Sequence, residues 1–175
     1  MALVVHQPSE LSTLIATCVD WSTVTSFVDL GGDLGHTALH VVSHNENICK
    51  VAVMEEASCL NSAVRFAPQL RKQYGERNFN KLFYVAGLAH STELPRNYDL
   101  YLLRDNRSCT SSSDVNWNKM LANVSSLVRA DKKTVIIVTQ RDWREMTSAL
   151  VKLGLRVQNT ITFSQGYIIE AQACN

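Results

Sequence analysis

Short apolar runs alternate along this chain with segments in which apolar residues recur every three or four positions. The apolar runs are bounded by glycine or charged residues and are rich in β-branched side chains, a pattern typical of buried strands. We predict five such strands, at 26–30, 48–54, 82–86, 98–103 and 135–138. Two further β-rich stretches, 156–163 and 167–171, are joined at Ser164-Gln165-Gly166 and predict a C-terminal antiparallel hairpin.

The segments between the strands predict helices. Helical spacing of apolar residues is found in 9–20, 36–43 and 58–74, and helices are also expected to begin at Asp114 and Asp142. In the third of these segments Pro68 should kink or divide the helix, because proline lacks an amide hydrogen and clashes with the preceding turn.

Strands that alternate with helices favour a mainly parallel sheet with right-handed crossovers and helices on both faces. We therefore predict an α/β, Rossmann-like fold with seven strands, the last two forming the hairpin. The whole of 1–175 is interpreted as a single domain, with a helical lead-in at 1–25 and the core at 26–175. In open sheets of this kind, ligands bind at the carboxyl ends of the strands.

The first strand ends in the one local sequence that indicates a small-molecule site. The segment from Ser26 reads S-F-V-D-L-G-G-D-L-G and delivers Gly31, Gly32 and Gly35 to the strand's carboxyl end. Glycine lets a ligand approach the backbone closely, since no Cβ intervenes. Asp33 lies inside this turn, and its charge would repel a pyrophosphate, which disfavours a dinucleotide site.

Composition restricts the partners only loosely. The chain is 46% hydrophobic and 19% charged, with a formal net charge of +1, so no strong basic patch for nucleic acid is indicated. No apolar stretch is long enough to span a bilayer and no secretory signal is evident, so we expect an intracellular protein that is not in the membrane. The five cysteines include no C-x-x-C pair, which argues against a zinc cluster.

The order of elements, together with V-D-L-G-G-D-L-G, resembles the class I, Rossmann-like S-adenosylmethionine-dependent methyltransferases, with a degenerate glycine-rich motif. The resemblance covers nearly the whole chain and implies S-adenosylmethionine as cofactor. The family's acidic residue and glycine turn correspond to Asp29, Gly31, Asp33 and Gly35, where Asp33 replaces the usual middle glycine. Glu55, after the second strand, matches the acidic residue that holds the ribose hydroxyls.

The remaining candidates lie at other strand ends. Gly32 completes the turn. Gly87 directly follows the third predicted strand and Arg104 directly follows the fourth, so we include all three among the predicted cofactor-binding residues. In the family, the end of the fourth strand faces the transferred methyl group, which makes Asp105 the candidate general base. The alternative, that this carboxylate is a solvated loop residue, is the more ordinary role for one aspartate in a polar loop.

The methyl acceptor is not identified by any motif. We interpret the chain as a methyltransferase acting on nucleic acid or protein, and the alternative is an inactive methyltransferase-fold subunit with a protein partner. A third reading is a fragment of an actin-like or sugar-kinase ATPase, in which D-x-G-G would link two strands of a hairpin. His36, His40 and His44 recur at helical spacing and could contribute to a zinc site, but we favour a polar helix face and predict no metal.

Overall fold

A computed structural model describes residues 9–105 and 114–174, and every structural statement below concerns these ranges. Helices and strands follow one another as predicted in most of the chain. The strands are β1 Ser26–Leu30, β2 Lys50–Glu55, β3 Leu82–Ala86, β4 Leu100–Arg104, β5 Thr134–Thr139, β6 Leu155–Phe163 and β7 Gly166–Ala173. The helices are α1 Glu10–Cys18, α2 His36–His44, α3 Ala57–Tyr74, α4 Glu76–Phe79, α5 Asp114–Asp131 and α6 Trp143–Lys152.

The seven strands form one sheet in the order β3-β2-β1-β4-β5-β7-β6. The first five run parallel, and β7 pairs antiparallel with both β5 and β6. The predicted α/β fold with a C-terminal hairpin is therefore confirmed. The strand order reverses between β1 and β4, and such a switch point opens a crevice for a ligand at the carboxyl end of the sheet.

The parallel pairing of β1 with β2 rules out the ATPase reading. In that reading the glycine turn links two antiparallel strands, whereas here α2 separates β1 from β2, with Phe27 opposite Val51 and Leu30 opposite Met54.

Two apolar cores cover the two faces of the sheet. On one face α1 and α2 pack on β1 and β2 through fully buried side chains such as Ile15, Leu39 and Phe27. On the other face α5 and α6 supply Leu121 and Leu150. Five consecutive residues of β1 are buried, which is what a central strand covered on both faces requires.

Two local features settle what the sequence pattern left open. Helix α3 passes through Pro68 without being divided, so the proline is accommodated inside it. The crossover from β3 to β4 contains no helix, because residues 87–99 run as turns and extended chain and cover their part of the sheet with Ala89, Leu94 and Tyr98. On the edge strand β3, Phe83 is 53% exposed.

None of the helices within the described ranges has the length and hydropathy needed to cross a membrane. Within the same ranges, no group of three or more His, Cys, Asp or Glu side chains could hold a metal ion. The rings of His40 and His44 lie close together, with centroids 4.3 Å apart and planes tilted by 55°, but His40 is buried in the helix packing and does not lie on an exposed polar face.

Candidate functional site

A cavity of about 370 Å³ opens at the carboxyl ends of β1, β2, β3 and β4. Its volume lies within the ~300–1,000 Å³ typical of small-molecule sites. Of the residues predicted to bind cofactor, it is lined by Gly31, Asp33, Glu55, Gly87 and Arg104. The strand ends thus converge on one cavity, as the rule for parallel sheets requires.

Glu55 is held at the wall of this cavity by two backbone amides. Its Oε2 accepts a hydrogen bond of 3.0 Å from the Asp33 N–H, and its Oε1 accepts one of 3.0 Å from the Glu56 N–H. Each carboxylate oxygen has a second lone pair. The side chain is therefore fixed in orientation and can still accept from a ligand.

The glycine turn owes its shape to backbone conformation. Gly31, Asp33 and Gly35 have positive φ angles of 73°, 52° and 87°, and Gly35 begins α2 as its N-cap. Aspartate is among the few non-glycine residues that adopt this left-handed conformation readily. This explains how Asp33 can replace a glycine while its amide still reaches Glu55.

Asp29, Gly32 and Gly35 lie behind the cavity rather than in its wall. Asp29 is fully buried, and a Cβ added at Gly32 would lie 2.8 Å from the Asp29 carboxylate. A Cβ at Gly35 would lie 3.1 Å from Leu82 Cδ2 and 3.2 Å from the Tyr84 hydroxyl oxygen. These residues shape the turn, and their direct contact with a cofactor stays a prediction.

Asp29 is paired with Arg104 across neighbouring strands. Arg104 Nη2 donates to both carboxylate oxygens, at 2.9 and 2.8 Å. Complete burial raises the pKa of Asp29, and the Arg104 guanidinium opposes that rise. The positive charge that Arg104 brings to the cavity is thus balanced by the carboxylate of Asp29, which is not part of the cavity wall.

Asp105 is buried and ion-paired, so it is not a solvated loop carboxylate. Its Oδ2 accepts from Arg141 Nε at 2.8 Å and from the Thr139 hydroxyl at 3.1 Å. Arg141 also donates to Asp114 at 2.7 Å and lies over the Trp117 ring, 5.6 Å from its centroid. Asp105 does line the cavity, and its role as general base stays a prediction.

Several cavity residues were not predicted from the sequence. Leu30 and Met54 precede predicted residues, and Leu88 and His90 follow Gly87, whereas Cys59, Asn116, Trp117 and Met120 come from helices α3 and α5. Arg141, which pairs with the cavity residue Asp105, does not line the cavity itself; it follows the fifth strand by two residues, so the strand-end rule applied there would have found it. Helix residues carry no such signal, because only packing decides which of them reach the cavity.

No protein-family model matches the chain, and no curated protein matches its sequence. Solved structures do match. The mitomycin 7-O-methyltransferase MmcR superimposes with a TM-score of 0.73 at 17% identity, covering 93% of this chain and 53% of that one. The chain has the class I methyltransferase fold.

Two further structures share this methyltransferase fold. NcsB1, an O-methyltransferase from neocarzinostatin biosynthesis solved with S-adenosylmethionine and 2-hydroxy-5-methyl naphthoic acid, gives a TM-score of 0.72 at 19% identity, covering 93% of this chain and 53% of its own. The riboflavin-derivative dimethyltransferase RosA from Streptomyces davawensis gives 0.71 at 15% identity with the same coverage. The chain spans about half the length of these structures.

Proposed function

We propose that this chain is an S-adenosylmethionine-dependent methyltransferase domain that binds its cofactor in the 370 Å³ cavity. The observation that carries the proposal is the Glu55 carboxylate, fixed by two backbone amides at the end of β2. A carboxylate held in this way can accept from two neighbouring hydroxyl groups of a ribose, and such charge-assisted bonds are stronger than neutral ones.

The charge of the cavity also supports a sulfonium ligand. Asp33 and Glu55 both line it, and Arg104 is neutralised by Asp29 from behind. A phosphate-bearing cofactor would meet two carboxylates at close range, whereas a sulfonium cation would be attracted by them. The methyltransferase fold and the cofactor bound in NcsB1 agree with this choice.

Isothermal titration calorimetry with S-adenosylmethionine and S-adenosylhomocysteine tests the proposal. Glu55→Gln should weaken binding of both by about 10- to 100-fold, since a hydrogen bond to a charged group contributes about 1.5–3 kcal/mol. Glu56→Gln is the matched control, because the Glu56 side chain is exposed and only its backbone amide serves the site. Absence of wild-type binding at millimolar ligand, or equal effects of the two substitutions, would overturn the assignment.

A second candidate function is a methyltransferase-fold subunit that binds a partner without catalysing transfer. The ion pair of Asp105 with Arg141 favours it, because the carboxylate predicted as base is already engaged. Failure to bind either cofactor, with a partner that co-purifies in defined stoichiometry, is the result expected for this alternative.

A further inference from the structure

A second, smaller cavity of about 170 Å³ lies beside the first. It is formed by helix α1, the carboxyl end of β5 and the turn of the β6–β7 hairpin. Three of its wall residues are apolar and three are neutral and polar: Leu11, Val138, Phe163, Thr139, Gln140 and Gln165. Its volume is below the ~300 Å³ at which pockets for drug-sized ligands begin, so it suits a group of about one ring in size.

Arg104 and Asp105 line both cavities and therefore stand between them. The two side chains differ in what they can still bind. Asp105 is occupied by Arg141 and by the Thr139 hydroxyl. Arg104 uses only Nη2 for Asp29.

The Nε–H of Arg104 is a buried donor without an acceptor in the part of the chain that the structure describes. Leaving a buried charged donor unsatisfied costs more than leaving a neutral one, so such a group calls for a ligand atom. Because Arg104 donates but cannot accept, the matching ligand atom is an acceptor, and an anionic oxygen is the strongest one.

The walls of the two cavities consequently offer a ligand different groups. The larger is lined by the carboxylates of Asp33 and Glu55. In the smaller, Arg104 and Asp105 are the charged residues of the wall, and Asp105 is already neutralised by Arg141. Arg104 is in turn balanced by Asp29, so what the wall still offers a ligand is the Nε–H of Arg104, which belongs to a charged group and has no acceptor among the described residues.

We propose that the smaller cavity is the acceptor site of this methyltransferase, and that Arg104 selects a ring-sized acceptor bearing an oxyanion, either an ionised acidic hydroxyl or a carboxylate. The inference rests on the proposed function. In the transfer, a lone pair of the acceptor oxygen forms the new O–CH₃ bond while the S–CH₃ bond breaks, and the bonding pair stays on sulfur. The acceptor has already released its proton to solvent, so Asp105 need not act as a base.

The test compares three ring-sized probes by calorimetry, at a pH above the pKa of 4-nitrophenol. These are 4-nitrophenolate, 4-nitrobenzoate and the neutral 4-nitroanisole. At least one anion should bind about tenfold or more tightly than the neutral probe, because only the anion forms a charge-assisted bond with Arg104. Which anion binds distinguishes the hydroxyl from the carboxylate. If neither exceeds 4-nitroanisole, or nothing binds at millimolar concentration, the proposal is overturned.

Variants of wall residues show whether the anionic probe binds in the smaller cavity. Asp29→Asn/Arg104→Gln removes both members of the buried pair and should abolish the preference for anions, with Arg77→Gln as a surface control. Should the double variant fail to fold, Gln140→Glu places a negative charge on an exposed residue of the smaller cavity and should also abolish the preference. Gln158→Glu adds the same charge on exposed β6 and should leave it intact. An unchanged preference in Gln140→Glu contradicts the proposed location.

Failure of the acceptor-site proposal can be distinguished from failure of the proposed function. The three probes are titrated without cofactor, and S-adenosylhomocysteine is titrated separately. Binding of S-adenosylhomocysteine without an anion preference contradicts only the acceptor site. An anion preference that needs Arg104, without cofactor binding, contradicts the methyltransferase assignment and the acceptor role and leaves an anion site in the smaller cavity.

Discussion

Arg104 and Asp29 form a buried ion pair between adjacent strands, 75 residues apart in sequence, with one guanidinium nitrogen 2.8 and 2.9 Å from the two carboxylate oxygens. The pair joins β1 to β4 at the position where the strand order reverses. Asp29 is fully buried and the Arg104 side chain is 18% exposed. The pair thus fixes the wall shared by the two cavities.

Loss of one partner of this pair should destabilise the protein strongly. Arg104→Gln leaves a buried carboxylate without its cation, at a cost of about 3–5 kcal/mol in the free energy of unfolding. The melting temperature should fall by on the order of 10 °C. Asp29→Asn/Arg104→Gln should recover part of the loss, and a double variant less stable than either single variant, measured by urea unfolding, would contradict the pairing.

The same substitution should change how stability depends on pH. Burial raises the pKa of Asp29 and Arg104 lowers it, so Arg104→Gln should raise that pKa further. A carboxyl with a raised folded-state pKa stabilises the fold at low pH, and this contribution is lost as pH rises through the folded-state value. The stability deficit of Arg104→Gln relative to wild type should therefore shrink as pH falls toward about 4. A deficit that stays constant from neutral pH down to that range would show that Asp29 does not titrate as described.

Arg141 should stabilise the carboxyl ends of β4 and β5 and the first turn of α5. Its guanidinium contacts Asp105 at 2.8 Å and Asp114 at 2.7 Å. Arg141→Gln leaves the buried Asp105 carboxylate with only the Thr139 hydroxyl, and should lower the free energy of unfolding by about 3 kcal/mol. Asp114→Asn removes an exposed partner and should cost less than about 1 kcal/mol. Equal losses in the two variants, measured by denaturant unfolding, would disprove this ranking.

Two adjacent glycines of the turn are required for different reasons, one for its backbone conformation and the other for the lack of space around it. Gly31 has a φ of 73° and open space where a Cβ would be added, so Gly31→Ala should cost about 1–2 kcal/mol from backbone strain alone. At Gly32 the Cβ would lie 2.8 Å from the Asp29 carboxylate and from Val53 Cγ1, so Gly32→Ala should cost about 1–3 kcal/mol through overpacking.

The backbone strain at residue 31 and the overpacking at residue 32 can be distinguished by combining each substitution with Asp29→Ala. Asp29→Ala removes the contact of residue 32 with the carboxylate but not the one with Val53 Cγ1, and it leaves the strain at residue 31 unchanged. Thermal unfolding should therefore show coupling between Gly32→Ala and Asp29→Ala, and near-additivity for Gly31→Ala with Asp29→Ala. The opposite pattern would refute the packing explanation.

His40 should make the fold sensitive to acid. Burial and the neighbouring His44 lower the pKa of His40 below its usual 6.5. A histidine with a lowered folded-state pKa contributes stability above the unfolded-state value, and this is lost as pH falls through about 6.5 toward the folded-state value. The melting temperature should drop between about pH 7 and pH 5, and His40→Gln should reduce that drop. An equal drop in both proteins would assign the acid sensitivity to other groups.

The sequence predicted the lining of the larger cavity better than that of the smaller one. Gly31, Asp33, Glu55, Gly87 and Arg104 were found because each lies at or just after the carboxyl end of a strand, and parallel strands bring those ends to one edge. The smaller cavity was not predicted. Its walls combine the first helix with the last hairpin, and no local pattern relates Leu11 to Phe163.

The sequence by itself determined the alternation of strands and helices, the hairpin and the glycine turn, because hydrophobic period and backbone preference are local properties. Tertiary structure decided which charges meet. Asp29 with Arg104, and Asp105 with Arg141, are partners 75 and 36 residues apart. It also decided that the β3–β4 crossover lacks a helix and that Asp105 is buried rather than solvated. Pairing and burial depend on how the strands are ordered in the sheet, and that order is a property of the assembled core.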